Sequence, residues 1–301
     1  MRIAVAASPR VAIPTLEVIL SSTHELVRVF SQPDRAAGRG RTLEATPVSQ
    51  WALANSIELF RPETARELAP LVSDVDCVVT IGYGLLIPEE ILAIPRNGFL
   101  NIHFSILPRW RGAAPVQRAI EAGDSLSGIT VFKLDKGTDT GPYYVMSRFA
   151  LDSDITSDEL LNELSEVAPS ALMDSLDLIE AGEKPTPQIE NEATRAFKLT
   201  REEGRVDFNQ SAENVSAKIR AFTSNPGAWI TFRGSVMKIT IESMSNILLA
   251  PGELRKVDGK LLIGTATEAI VVGSLTPSGK PTVSASAWLN GARLVDGEIC
   301  E

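Results

Sequence analysis

The sequence predicts an α/β protein in two parts: a Rossmann-like, doubly wound, mostly parallel sheet, followed by a small β-barrel or sandwich. Three observations carry this. Short apolar runs alternate with helix-length amphipathic segments through the first half, the pattern of a parallel sheet wrapped by helices on both faces. A long helical period then gives way to a polar, proline-containing stretch. Beyond it come short alternating runs spaced by Gly, Pro and Ser, which suit closed or stacked antiparallel sheets.

In order, "RIAVAA", "LVRVFSQ", "CVVTIGY" and "FLNIHFS" read as strands, and the segments near residues 14 to 21, 45 to 55, 64 to 72, 88 to 93 and 113 to 122 read as helices. The turn after the first strand is "AASPRVA". It lacks the Gly-x-Gly-x-x-Gly fingerprint, so a Rossmann-like sheet here does not imply a nicotinamide or a flavin. "GITVFKLDKGTDTGPYYVMSRFAL" reads as a strand pair around a turn from Gly137 to Gly141. From about Ser157 to Ala181, Leu160, Leu161, Leu164, Val167, Leu172, Leu176 and Ile179 recur at helical spacing. "GEKPTPQIENEATRAFKLTREEG" has no sustained period and reads as a linker. The expected division is residues 1–182, a linker over 183–204, and residues 205–301, the last opening with a helix in "SAENVSAKIRAF".

The formal charge is -9, which argues against non-specific coating of nucleic acid, since that mode needs an excess of Lys and Arg. Two cysteines at unrelated positions, Cys77 and Cys300, imply neither a disulfide framework nor a zinc site and fit the reducing cytoplasm. Ser8, Pro9, Arg10 and Pro14 interrupt the apolar N-terminus too early for a signal core or membrane span. With His24 and His103 as the two histidines and no carboxylate cluster beside either, no metal is implied.

Chemistry concentrates in "LNIHFSILPRWRGAAPVQ", residues 100–117. Asn101 and His103 stand two apart on a strand, so both side chains leave one face. The amide can donate to an oxygen that gains charge, and the imidazole can move a proton or polarise a carbonyl near neutral pH. Asp139, in the turn "KGTDTG", supplies an acid that can orient the ring. No Gly-x-Ser-x-Gly elbow is present, so direct acyl or formyl transfer to an incoming nucleophile fits better than a covalent hydrolase. By residue type alone, a structural His and a turn-forming Asp remain open readings.

Taken in order, "VFSQPDRAAGRGRTLEATPVSQWA", "GYGLLIPEEIL", "NIHFSILPRWRGAAPVQRAI", "GTDTG" and "FKLTREEGRVDFNQSAENVSAKIRAFTSNPGAW" resemble the 10-formyltetrahydrofolate-dependent formyltransferases. That family's core reads Asn-x-His-x-Ser-Leu-Leu-Pro, then Arg-Gly, then Asp-Thr-Gly. The resemblance runs nearly end to end. It implies Asn101, His103 and Asp139 as the catalytic trio, and a folate site lined by Ser105, Ile106, Leu107, Pro108, Tyr83 and Gly84. It further implies 10-formyltetrahydrofolate as formyl donor and initiator methionyl-tRNA as acceptor, giving the formylated tRNA used in translation initiation. Arg35, Arg39 and Arg41 would meet the tRNA from a loop, and the C-terminal part would be an OB-like β-barrel that binds tRNA. A cytoplasmic monomer is expected.

Two features bear on the breadth of that resemblance. Ala7 and Ser8 replace the Gly-Thr that commonly precedes Pro in the family's first turn, Phe104 replaces an often small residue, and Ile106 replaces a Leu. Lys198, Arg201, Arg205, Lys218, Arg220, Arg233 and Lys238 could line a positive strip facing a tRNA stem. The alternatives weighed are a relative that formylates a small amine, either glycinamide ribonucleotide or an amino-sugar nucleotide, and a scaffold that binds nucleic acid without catalysis. The first leaves the C-terminal hundred residues or the arginine loop unexplained; the second leaves the trio unexplained.

Overall fold

The structure, a computed structural model, describes residues 1–37, 42–295 and 297–301. Its internal contacts separate two units. The first comprises Met1–Pro115, Ser127–Phe149 and Leu161–Arg195; the second comprises Val116–Leu126, Ala150–Leu160 and Ala196–Glu301.

The first unit is built on seven strands: β1 (Arg2–Ala7), β2 (Glu25–Phe30), β3 (Leu59–Phe60), β4 (Cys77–Ile81), β5 (Phe99–His103), β6 (Leu126–Lys133) and β7 (Tyr143–Ala150). Across the sheet they run β7-β6-β5-β4-β1-β2-β3. The pairs β1 with β2, β1 with β4, β2 with β3 and β4 with β5 are parallel, and β5 with β6 is antiparallel. The sheet is therefore mostly parallel, as the alternating pattern predicts. Strands β1 and β4 are apolar at nearly every position because both their faces are covered.

The order reverses between β1 and β4, so the crevice beyond their carboxyl ends is where ligands bind in such sheets. Helices α1 (Ile13–Ser21), α2 (Pro47–Ala54), α3 (Glu89–Leu92) and most of α5 (Ser157–Glu180) belong to this unit, whereas α4 (Pro115–Glu121) falls, but for its first residue, in the second. The segment expected as a helix near 64 to 72 is a 3-10 turn, Ala65–Leu71, containing Pro70. A proline there removes the N–H that an α-helical ladder needs. Within α5, Leu164, Ala168, Ala171, Leu172 and Leu176 are buried, whereas Val167, expected on the apolar stripe, is 42% exposed. One residue off the stripe is about a hundred degrees around the helix, so Ala168 takes the inward position.

The Ala7-Ser8-Pro9 turn needs no glycine, because Ala7 is not among the residues with positive φ. Ser8 is useful there: its Oγ accepts from the Gln32 N–H at 3.1 Å.

In the second unit an antiparallel sheet of six strands runs β8-β9-β12-β11-β10, with β13 paired to β12. These are β8 (Trp229–Phe232), β9 (Ser235–Met244), β10 (Leu254–Val257), β11 (Lys260–Ile263), β12 (Ile270–Pro277) and β13 (Val283–Ser284). Residues 298–301 bond both outer strands. Leu254 N donates to Glu298 O at 2.8 Å, while Glu301 N donates to Thr231 O at 2.9 Å. This tail joins the two edges into a barrel, leaving neither as an open template.

Helices α6 (Ala212–Ala221) and α7 (Ala285–Ala292) belong to the same unit. Ala212, Val215, Ser216 and Ile219 form the buried face of α6, which packs on β9.

Candidate active site

β5 brings Asn101 and His103 to the carboxyl edge of the sheet, beside the end of β4, where Thr80 is the register partner of Asn101. Phe99, Leu100 and Ile102 are buried and anchor the strand. Thr80 Oγ1 donates to Asn101 Oδ1 at 2.8 Å and lies 3.0 Å from Leu100 O. With Oδ1 engaged, the two N–H groups of Nδ2 are the end of the amide left for a ligand.

His103 is 6% exposed. Its Nε2 lies 2.8 Å from Trp110 O. A carbonyl can only accept, so the proton belongs on Nε2 and Nδ1 is the other ring atom in play. Nδ1 faces Asp139 Oδ2 at 3.8 Å, too long for a hydrogen bond and close enough for charge attraction. The edge of the ring also packs on Phe132, centroid to centroid 6.4 Å.

Asp139 sits at φ 54°, a left-handed conformation that Asp tolerates better than most residues. Its Oδ2 accepts from Gly112 N at 2.8 Å. The turn that carries it needs glycines: a Cβ on Gly141 would stand 1.8 Å from Lys133 O, and one on Gly137 1.9 Å from Thr140 Oγ1. Asp139, distant in sequence from Asn101 and His103, thus shares one locality with them.

The residues expected to line a folate site are placed less uniformly. The chain after His103 turns through a cis Leu107-Pro108 bond. Ser105 is 1% exposed, with Oγ donating to Arg109 O at 2.6 Å, and its carbonyl accepts from Thr130 Oγ1 at 2.7 Å. Leu107 N donates to the same hydroxyl at 3.1 Å, and Leu107 and Pro108 are buried.

Ile106 is half-buried and leans over Gly128. The Tyr83 ring is packed in the core with Phe30, Leu68, Val72 and Phe99. Burial, and then the Glu67 carboxylate, pushes its phenol up to about 12. Its carbonyl accepts from Gln32 Nε2 at 2.7 Å. What the 82–86 segment turns outward is the positive-φ backbone of Gly82 and Gly84 and the side chain of Leu86, which is 81% exposed. Main-chain groups beside an aliphatic surface suit a flat heterocycle that needs both donors and acceptors. Of the arginines expected on a loop, Arg35 is exposed; Arg39 and Arg41 lie outside the described residues.

Sequence reading missed the residues that hold these groups. Thr80, Thr130, Arg111, Thr194 and Gln188 carry ordinary roles by type, and Gln188 and Thr194 fall in the stretch read as linker. Thr194 accepts from Trp110 N at 2.8 Å, and its own N–H donates to Pro108 O at 3.2 Å. Arg111 is 3% exposed and bonds Gln188 and Glu190. The usable signal was the prolines at 185 and 187, which hold a chain extended without making it a spacer.

The family model described as "Formyl transferase" matches residues 1–176, and that described as "Formyl transferase, C-terminal domain" matches residues 198–293. The chain belongs to the formyl transferase family. The methionyl-tRNA formyltransferase of Thermobifida fusca (strain YX) is 41% identical over 99% of this chain and 98% of its own length. That of Salinispora tropica is 40% identical over 99% of both. The tetrahydrofolic acid complex of HypX from Aquifex aeolicus shares the fold, with TM-score 0.69 at 22% identity over 96% of this chain and 47% of that one. This formyltransferase is an enzyme of one-carbon transfer, and formyl-tetrahydrofolate is its donor.

Proposed function

We propose that this formyltransferase moves the formyl group of 10-formyltetrahydrofolate to the α-amine of initiator methionyl-tRNA, with Asn101, His103 and Asp139 doing the chemistry. The observation that carries the assignment of roles is the convergence of a free amide donor, a ring nitrogen and a carboxylate around one locality.

The amine nitrogen forms a bond to the formyl carbon, and the bond from that carbon to the folate nitrogen breaks. Between these events the carbonyl oxygen carries negative charge. Asn101 Nδ2 and His103, protonated on both ring nitrogens, donate to it. Asp139 balances the imidazolium and accepts the proton that the amine sheds. The folate nitrogen regains a proton on leaving, so the reaction is balanced without metal or redox partner. Ser105, Ile106, Leu107, Pro108 and the 83–84 backbone flank the donor. Leu86 adds an exposed apolar surface to it.

Arg35 supports contact with the acceptor end of the tRNA, since guanidinium groups pair with phosphates and stack on bases. The strip expected on the second unit is less positive than its composition suggests. Lys218 pairs with Glu121 at 2.6 Å and Arg233 with Glu298 at 2.7 Å, while Arg220 is turned onto Ile155 O. Lys198, Arg201 and Lys238 are exposed and are the cations best placed to meet phosphate. A reducing compartment such as the cytoplasm accords with two free, buried cysteines. No described helix is long and apolar enough to cross a membrane.

The test is transfer of labelled formyl from 10-formyltetrahydrofolate to methionyl-tRNA, glycinamide ribonucleotide and an amino-sugar nucleotide in parallel. Labelling of methionyl-tRNA alone, abolished in Asn101→Ala, is the expected result. Labelling only of a small amine would overturn the acceptor, and full activity in Asn101→Ala would overturn the site.

A further inference from the structure

Gln188 uses every hydrogen-bonding position of its amide. Nε2 donates to Asp139 O at 3.0 Å and to Gly141 O at 2.7 Å. Oε1 accepts from Arg111 Nε at 3.0 Å and Nη2 at 2.8 Å. The amide cannot be turned over, because flipping it would set an oxygen against two carbonyls and an NH2 against a cation.

The buried Arg111 guanidinium continues to Glu190 in a two-point pair at 2.7 and 3.0 Å. That pairing compensates a charge held at 3% exposure.

The main chain on each side of Arg111 makes a bond to His103 and a bond to Asp139. Trp110 O receives His103 Nε2, and Gly112 N donates to Asp139 Oδ2. The turn bearing Asp139 is thereby held twice, by its carboxylate from the Arg111 backbone strand and by its carbonyl through Gln188. A φ of 54° at Asp139 persists only where the surroundings hold it.

We infer that Gln188 is a positioning residue for formyl transfer: by linking Arg111 to the carbonyls of Asp139 and Gly141, it sets where the Asp139 carboxylate stands relative to His103 Nδ1. It rests on the reading of Asp139 and His103 as reacting groups. Gln188 has no need to touch either substrate.

Gln188→Glu separates the two halves of the role. It preserves size and the acceptor for Arg111, and it replaces the donor NH2 with an oxygen facing two carbonyl oxygens. Gln188→Met, neutral and similar in length, removes all four bonds without that repulsion. Steady-state formyl transfer is measured for both variants beside Asp139→Asn, with melting curves. Because the chain has two histidines, His24 and His103, the imidazole 15N resonances report on His103 with His24 as internal reference.

The expected result is kcat lower by on the order of 10- to 100-fold with KM for either substrate within about twofold. His103 resonances should move and those of His24 should not. If Asp139→Asn turns over like wild type, the underlying assignment fails and this inference falls with it. If Asp139→Asn is inactive while folded Gln188→Glu and Gln188→Met keep wild-type kcat, the assignment stands and the role of Gln188 is refuted. A loss confined to KM or melting temperature, with His103 unmoved, refutes it equally.

Discussion

At Asn101 the chemistry depends on which end of one amide is left over. Thr80 occupies Oδ1, so deleting the amide removes a donor from the reacting oxygen without opening a cavity in the core. Asn101→Ala should lower kcat by about 10²- to 10³-fold with an almost unchanged melting temperature; a parallel fall in both would mark the residue as structural. Thr80→Val keeps the shape and removes the hydroxyl, and should cost activity by a smaller factor, read in the same assay. The thiols offer a control on local packing. Burial pushes Cys77 and Cys300 up to about 12, so at pH near 8 neither should be alkylated by iodoacetamide in the folded protein, since the thiolate is the nucleophile. Rapid labelling of either before unfolding would contradict the packing around it. At this scale the shared face of Asn101 and His103 was legible, because i and i+2 on a strand must share a face. Thr80 and Thr130 were not, because a buried threonine announces no partner until strands pair.

Among the elements, the 137–141 turn and the C-terminal tail decide most. Gly141→Ala cannot be accommodated beside Lys133 O, so the Asp139 turn must move. The expected result is a kcat loss at least as large as that of Gln188→Glu; a variant with wild-type rates would show that the turn adapts. Helix α6 is capped by Ser211, whose side chain accepts from Asn214 N, and Ser211→Ala should cost about 1 kcal/mol in denaturant unfolding. Deleting residues 298–301 removes the bonds to Leu254 and Thr231 and uncovers both barrel edges, so melting temperature should drop and aggregation rise on heating. Strand and helix positions were mostly legible from apolar periodicity. The closure of the barrel was not, since "EICE" has neither the length nor the alternation of a strand, and its role arises from meeting two edges at once.

For the whole molecule, several carboxylates tie stability to acidity. Thr64 and Thr156 hydroxyls hold Glu67 and Glu159 below the ordinary 4.5, and Arg111, Arg118 and Arg233 do the same for Glu190, Glu203 and Glu298. A depressed folded value stabilises above the unfolded one, so this contribution is complete above pH 4.5 and is lost as pH falls through the depressed values. Melting temperature should be level from about pH 7 to 5 and decline below about 4.5. These groups are exposed, so the decline should be shallow and reduced by salt; an unchanged melting temperature at about pH 3.5 would show that the contacts carry no stability. The sequence by itself determined the parallel sheet, the strand that carries Asn101 and His103, the glycine-flanked Asp139 and the family, because periodicity, strand geometry and ordered motifs are local properties. Only the tertiary structure decided that Gln188, in a stretch that reads as spacer, grips the Asp139 turn, that the Tyr83 ring is packed into the core, and that Thr80 and the main chain of Trp110 and Gly112 bond the other polar atoms of the three. Hydrogen bonds between segments separated by dozens of residues exist only once the sheet has set their ends side by side, and no local pattern encodes them.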